Sequence, residues 1–205
     1  MVSGVVPGML AQGGGEVILH TKDAAVGSCH ELRGAYAGSM DSIRKIISGG
    51  QTGVDRAALD AALALGVEAG GWCPHGRRAE DGPISRRYPL KETRTEKYPP
   101  RTALNVREAD ATLILHLGAL DGGSRLTHEI ADRSHKAQRC INLADRDALD
   151  QARAWLRETS PRTLNVAGPR ESRQPGIYPR AYGFLVRLLK EGCERYPMAG
   201  PATRP

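Results

Sequence analysis

Aromatic residues are scarce in this 205-residue sequence, which contains one Phe, two Trp and six Tyr. The scarcity argues against a protein that binds single-stranded nucleic acid, because such proteins stack bases on exposed aromatic rings. It also predicts a core built from Ala, Val, Leu and Ile. The net charge of +6 still favours an anionic partner of some kind, so we expect a small anion rather than nucleic acid.

Long apolar runs and paired cysteines are also missing. No apolar run approaches the roughly 20 residues that a membrane-spanning helix needs, and the first residues lack the pattern of a signal peptide. Cys29, Cys73, Cys140 and Cys193 form no Cys-x-x-Cys pair, which argues against a zinc ribbon or a thioredoxin-type redox site. We therefore expect a cytoplasmic protein with reduced thiols and no membrane partner.

Regular patterning is confined to the middle of the chain. Residues 1–40 are rich in glycine and show no sustained period, and residues 193–205 end in the sequence MAGPATRP. We expect both segments to be disordered, because neither offers an apolar face that could be buried. Residues 41–192 are then expected to form one ligand-binding domain.

Short apolar runs alternate with helical patterns across this domain. The predicted buried strands are IRKIIS, VEAGGW, ATLILHL, RCINLA and TLNVAG, and the segments between them predict helices of about 10–15 residues. Gly66 is expected to end the first helix, and Asp145 is expected to cap a later one. The alternation is typical of an α/β fold with three layers, in which a mostly parallel sheet of about five strands carries helices on both faces.

Three of the predicted strand ends combine glycine with arginine. In an open parallel sheet, ligands bind beyond the carboxyl ends of the strands, where glycine lets the backbone N–H groups approach an anion. We therefore predict a shared phosphate-binding site. Its candidate residues are Gly49, Gly50, Gln51, Thr52, Gly53, Asp55 and Arg56 after the first strand, Gly122, Gly123 and Ser124 after the third, and Gly168, Arg170 and Glu171 after the last.

These residues have different predicted roles. The glycines would donate N–H groups to a phosphate and the arginines would neutralise it, while Gln51, Asp55 and Glu171 would hydrogen-bond the polar edges of a ring. The first loop, GGQTGVDR, matches neither the Gly-x-Gly-x-x-Gly nor the Walker spacing. An alternative stays open for Thr52 and Asp55, which are also spaced as a capping box at the start of a helix.

A long basic segment, residues 73–101, follows the second predicted strand. Loops of this length inside a compact domain are usually functional, so Arg77 and Arg78 join the candidate ligand-binding residues. Cys73 is either a neighbour of the ligand or a buried thiol. The histidines lack a clean metal-ligand spacing, and no metal held by protein ligands is expected.

Six segments in one order carry a family resemblance. They are GGQTGVDRAALDAAL, GGWCPHGRRAEDG, YPLKET, RTALNVREADATLIL, GGSRLTHE and TLNVAGPRESRQPGIY, and they resemble the putative molybdenum carrier protein family over residues 43–189. The resemblance implies a Rossmann-like fold, circularly permuted relative to the "lonely guy" phosphoribohydrolases, and self-association into a homo-oligomer. It also implies binding of the molybdenum cofactor, a phosphate-bearing pterin with a molybdenum dithiolene, for delivery to molybdoenzyme acceptors.

The same superfamily keeps two other hypotheses open. Its phosphoribohydrolases carry the motif Gly-Gly-x-Gly-Thr-x-x-Glu, and residues 122–129 of this chain read GGSRLTHE. If this protein is an N-glycosidase that cleaves nucleoside monophosphates, the resemblance implies Glu129 as its catalytic residue, although Arg125 and Leu126 depart from the motif. The third hypothesis is a nucleotide sensor. The sequence does not distinguish a pterin from a purine nucleotide.

Overall fold

The computed structural model describes residues 43–120 and 122–193. The segments predicted to be disordered, residues 1–40 and 193–205, lie outside these residues, except for Cys193, which is the last residue of a helix. The described elements are β1 (Lys45–Ile47), α1 (Val54–Ala64), β2 (Glu68–Gly70), β3 (Trp72–Cys73), β4 (Arg78–Ala79), β5 (Gly82–Pro83), β6 (Lys91–Glu92), α2 (Tyr98–Glu108), β7 (Ala111–His116), α3 (Gly122–Arg133), β8 (Ala137–Asn142), α4 (Ala148–Thr159), β9 (Thr163–Ala167) and α5 (Ile177–Cys193).

A five-stranded parallel sheet in the order β2-β1-β9-β7-β8 forms the central layer of the described residues. Helices α1, α4 and α5 pack together, and α2 packs on α3. The unit β1-α1-β2 runs to one edge of the sheet and β7-α3-β8 runs to the other, which places the topological switch beside the central strand β9. The predicted three-layer α/β fold is confirmed, and the switch marks where a ligand crevice is expected.

The core is aliphatic, as the scarcity of aromatics predicts. Strand β7 is buried on both faces through Leu113, Ile114 and Leu115, since helices cover both sides of a parallel sheet. Helix α1 contributes mostly alanines, which allow α5 to approach closely through Ala181 and Leu185. In the part of the chain that the structure covers, no helix is both long enough and apolar enough to cross a membrane.

Neither of the two N-terminal caps considered in the sequence, the Thr52–Asp55 capping box and the Asp145 cap, is formed. Helix α1 begins after Gly53, and its N-terminus receives no side-chain hydrogen bond, because Thr52 donates to Glu80 and Asp55 pairs with Arg101. Asp147, not Asp145, precedes α4. Asp145 lies in a turn with Asn142, whose amide donates to its carboxylate at 3.0 Å.

The basic segment folds into an insertion, residues 72–97, rather than an open loop. Strands β3 and β6 pair in parallel, and β4 and β5 form an antiparallel pair. Arg77 organises the segment, because its guanidinium donates to four carbonyl oxygens, those of Ile84, Ser85, Tyr88 and Leu90, at 2.8–3.2 Å. Four local acceptors for one side chain explain how a stretch with no apolar period becomes ordered.

Two side chains of α1 hold the insertion in place by hydrogen bonds and ion pairs. Arg56 donates to both carboxylate oxygens of Asp81, at 2.5 and 3.0 Å. One turn further along α1, the Asp60 carboxylate accepts hydrogen bonds from Arg87 (2.5 Å), Tyr88 (2.9 Å) and Tyr178 (2.7 Å). Burial, assisted by the Asp60 carboxylate, raises the pKa of Tyr178 to about 12, so its hydroxyl remains a donor at neutral pH.

Gly53 is a position where we predict that a side chain cannot be accepted. Its φ is 74°, and a Cβ there would lie 2.3 Å from the carbonyl oxygen of Pro169. Gly53→Ala should therefore lower the free energy of unfolding by about 2 kcal/mol or more, measured by urea denaturation.

The matched control is Gly183→Ala, since Gly183 is exposed in α5 and a Cβ there meets no atom within 4 Å. This change should stabilise the protein by up to about 1 kcal/mol, because alanine loses less backbone entropy than glycine in a helix. Equal effects of the two substitutions would contradict the predicted clash at Gly53.

Candidate ligand-binding site

A cavity of about 340 Å³ lies at the carboxyl ends of β1 and β9, under α2 and the start of α3. Its volume is within the range of about 300–1,000 Å³ that small-molecule sites occupy. It also lies at the switch point of the sheet. The lining residues are Gly49, Gln51, Asp55, Tyr98, Arg101, Thr102, Asn105, Gly122, Gly123, Leu126, Thr127, Asn165, Ala167, Gly168, Arg170 and Arg173.

A buried ion pair forms part of the lining. Nη1 of Arg101 lies 2.7 Å from Oδ2 of Asp55, and the two side chains are only 13% and 4% exposed. The pair crosses over Gly49, where a Cβ would lie 1.3 Å from that same Nη1. Glycine is therefore required at this strand end because the guanidinium occupies the space of a side chain.

The Gln51 carboxamide is held rigidly beside this pair. Gln51 is 3% exposed, and its Oε1 accepts the backbone N–H groups of Thr52 and Glu80, each at 3.0 Å. These two bonds fix which end of the amide is oxygen. The other end, Nε2, is buried and has no hydrogen-bond partner among the described residues.

Two further arginines lie at the cavity. Arg170 is half-buried and stacks on the ring of Tyr98 at 4.5 Å, and Arg101 approaches the same ring at 6.0 Å. Such contacts hold a guanidinium in place without neutralising it. Arg173 is exposed nearby, so three arginines face one carboxylate and the lining carries net positive charge.

The first turn of α3 adds to the preference of the cavity for anions. Gly122 and Gly123 line the cavity, and a Cβ at Gly122 would meet no atom within 4 Å, so the glycine leaves the helix end open. The N–H groups of a helix N-terminus favour anions. On the opposite side, Gly168 lets the loop after β9 pass close to α1, since a Cβ there would lie 2.6 Å from Val54.

Glu80 of the insertion joins the loops after β1 and β9. Its carboxylate accepts the hydroxyl groups of Thr52 and Ser172, the latter at 2.5 Å, and the Ser172 N–H at 3.3 Å. Burial alone would raise the pKa of Glu80, but the hydrogen bonds from Ser172 and Thr52 outweigh it and lower the pKa below its ordinary value of 4.5.

Comparison with known proteins agrees with this architecture. Residues 46–189 match the model of the circularly permutated YpsA SLOG family. The chain belongs to this family. It is also 42% identical to a protein of known crystal structure from Syntrophus aciditrophicus SB, named "Putative molybdenum carrier protein", over 72% of this chain and 95% of that one, with a TM-score of 0.69. No curated protein sequence matches the chain.

The resemblance inferred from the six sequence segments is therefore confirmed. In this member of the YpsA SLOG family, all three predicted glycine loops reach the one cavity. Seven of the predicted residues line it, namely Gly49, Gln51, Asp55, Gly122, Gly123, Gly168 and Arg170.

Five other predicted residues of these loops lie behind the lining. Gly50 lies against Leu90 of the insertion, and Gly53 lies against the loop after β9. Thr52 donates to Glu80, and Ser124 is buried in α3. Glu171 accepts hydrogen bonds from the N–H groups of Gly176 and, at 3.0 Å, Tyr178, so its carboxylate satisfies backbone donors at the start of α5.

The remaining predicted arginines lie outside the cavity because each has another partner. Arg56 is bound to Asp81, and this hydrogen bond raises the pKa of the Arg56 guanidinium above its ordinary value. Arg77 is surrounded by carbonyl oxygens of the insertion, and exposed Arg78 pairs with Glu96 at 3.2 Å. The sequence predicted Arg170 at the site but missed Arg101 and Arg173 and wrongly included Arg56, Arg77 and Arg78, since the pairing of an arginine depends on partners distant in the chain.

The residues considered for catalysis and metal binding also lie away from the lining. Glu129 is exposed on α3 and does not contribute to the cavity. Cys73 is fully buried, and burial raises the pKa of its thiol. Among residues 43–120 and 122–193, no group of three or more His, Cys, Asp or Glu side chains is placed to hold a metal.

Helix α2 supplies four lining residues that were not predicted from the sequence, and Leu126, Thr127, Asn165, Ala167 and Arg173 are further ones. Tyr98, Arg101, Thr102 and Asn105 lie on one helical face, and Asn105 bonds the Trp72 backbone in both directions, at 2.8 and 3.1 Å. Prolines at the first helical positions, 99 and 100, were a sequence signal that the helix starts before Thr102. In a helix that starts there, Arg101 and Asn105 are four residues apart and therefore lie on the same face.

We predict that the Asp55–Arg101 pair stabilises the fold as a unit. Arg101→Met leaves the Asp55 carboxylate buried without its partner and should lower the free energy of unfolding by about 2–3 kcal/mol. Adding Asp55→Asn removes the unpaired charge and should restore at least about half of that loss. Urea denaturation of both single variants and the double variant tests this, and strictly additive losses would contradict it.

We also predict a pH-dependent contribution from Glu80. Because its pKa is lowered in the folded state, the stabilisation is complete above pH 4.5 and is lost as the pH falls through the lowered value. Glu80→Gln should therefore reduce the Tm more at pH 7 than at pH 3, because part of the stabilisation is lost below pH 4.5. The control is Glu96→Gln, an exposed partner of Arg78, which should change the Tm little at either pH. An equal Tm deficit at both pH values would refute the prediction for Glu80.

Proposed function

We propose that this protein binds a phosphate-bearing small molecule in the cavity and that the molybdenum cofactor is its cargo. The observation that carries the proposal is the composition of the cavity lining, which combines a helix N-terminus, three arginines and the Gln51 Nε2, an amide nitrogen with no hydrogen-bond partner among the described residues. A phosphate would neutralise the excess positive charge.

The lining suits the polar pterin as well as the phosphate. Gln51, Asp55 and Asn165 offer amide and carboxylate groups from positions that are at most 3% exposed, where an unmet hydrogen bond is costly. No cysteine or histidine occurs among the described lining residues. Molybdenum would therefore be carried by the sulfur atoms of the cofactor, and the protein would supply shape, charge and hydrogen bonds.

The similarity to the Syntrophus protein adds independent support, since that relative is named for molybdenum carriage and 95% of its length is covered. In the carrier function, a self-associated protein would protect the cofactor and release it to a molybdoenzyme. Cleavage of a nucleotide has less support, because Glu129 lies on the surface of α3 outside the cavity. A sensor would use the same cavity, and ligand-dependent assembly would be its mark.

The test is retention of the cofactor during gel filtration. Purified protein is incubated anaerobically with cofactor released from a molybdoenzyme, and molybdenum and oxidised pterin are then measured in the protein peak. Both should co-elute with the protein. Arg170→Ala combined with Arg173→Ala should reduce retention at least about tenfold, because the phosphate loses two charge-assisted bonds.

The control removes the same charge elsewhere. Arg78 and Arg94 are exposed and outside the cavity lining, so Arg78→Ala combined with Arg94→Ala should leave retention unchanged. If both double variants retain the cofactor equally, the cavity is not its site. If the unmodified protein retains neither molybdenum nor pterin, the carrier function is wrong.

A further inference from the structure

The unpartnered amide of Gln51 restricts the kind of group that can complete the cavity. Its oxygen is already occupied by the N–H groups of Thr52 and Glu80, so only the two hydrogens on Nε2 are left to bond. The ligand group that meets Nε2 must therefore be an acceptor, such as a carbonyl oxygen or a ring nitrogen without a hydrogen. An amino group presented there would leave two donors facing each other.

The neighbouring carboxylate has the opposite preference. Asp55 follows Gln51 by four residues and lines the same cavity, and its side chain is 4% exposed. In the described part of the chain, Arg101 is the one donor to this carboxylate, and it bonds Oδ2. Oδ1 can therefore accept hydrogen bonds from N–H groups of a ligand.

A donor beside an acceptor matches one kind of heterocycle edge. In a 2-amino-4-oxopteridine, and equally in guanine, a carbonyl oxygen is followed by a ring N–H and an amino group. We infer that Gln51 and Asp55 select this 2-amino-oxo edge, with Gln51 bonding the carbonyl and Asp55 bonding the ring N–H and the amino group. The inference rests on the proposed function and specifies the ring that the cavity takes.

The same arrangement discriminates against adenine. Adenine presents an amino group where guanine has the carbonyl, and its adjacent ring nitrogen carries no hydrogen. Gln51 would then face a donor and Asp55 would face an acceptor, so both contacts turn from favourable to repulsive. Sites that hydrogen-bond a ligand with buried polar groups reject analogues with mismatched groups strongly.

The experiment compares probes that share a phosphate and differ at this edge. A 2-amino-4-oxopteridine with a phosphorylated 6-alkyl side chain, GMP, IMP and AMP are titrated by calorimetry. The pterin phosphate and GMP should bind, IMP should be weaker than GMP because it lacks the amino group, and AMP should be about 30-fold weaker than GMP or more.

Gln51→Glu is the decisive variant because it nearly preserves shape. One carboxylate oxygen can still accept from Thr52 and Glu80, while the other replaces the donor by an acceptor. The preference for GMP over AMP should fall to within about threefold, and Arg78→Ala should keep it unchanged. If Gln51→Glu unfolds, the titrations of the unmodified protein with GMP and AMP still decide, because equal affinities for the two nucleotides overturn the inference.

The outcomes separate this inference from the proposed function. If the pterin phosphate binds and GMP does not, the inference is supported and the natural ligand is a pterin rather than a guanine nucleotide. Equal binding of AMP and GMP, or an unchanged preference in Gln51→Glu, overturns the inference while leaving a phosphate-binding site intact. If none of the four probes binds, both the inference and the proposed phosphate site fail.

Discussion

The contact between the loop after β1 and the loop after β9 is the constraint on which the site depends. Gly53 comes so close to the carbonyl of Pro169 that a single added carbon would lie 2.3 Å from it, and the Val54 N–H donates to that carbonyl at 3.2 Å. The hydroxyl of Thr52 accepts the Glu171 N–H across the same contact. Two strand ends separated by more than 100 residues are thereby joined in one wall.

The other parts of the site follow from that wall. Glu80 bonds both loops, and so ties the insertion across them. Glu171, placed by the contact, serves the start of α5 rather than a ligand. Arg170, on the same loop, is brought to the ring of Tyr98, which in turn lies on the helix that carries Arg101. The cavity is therefore lined by four segments of the chain, namely the loop after β1, helix α2, the start of α3, and β9 with the loop that follows it. No single motif specifies it.

Much of this architecture could be predicted, because it follows from local patterns. Apolar runs predicted the five strands, and their alternation with helices predicted the parallel sheet. Strand β8 was expected to be buried, but it is an edge strand in which only Ile141 is buried. The glycine loops could be predicted to converge, since all parallel strands end at the same edge. The family resemblance rested on the same segments and was confirmed by a family match over residues 46–189.

The sequence by itself thus determined the class of fold, the edge of the sheet and the loops that meet there, because periodicity and glycine placement act over a few residues. Only the tertiary structure decided which charged groups face the cavity. Arg56 and Arg101 are equally basic in sequence, yet Asp81 binds the first outside the cavity and Asp55 holds the second within it. Likewise, the orientation of the Gln51 amide depends on the insertion, because the Glu80 N–H bonds its oxygen and leaves the NH₂ group as the end that can donate to a ligand. Ion pairs and amide orientation depend on partners tens of residues away, and a linear pattern does not contain that information.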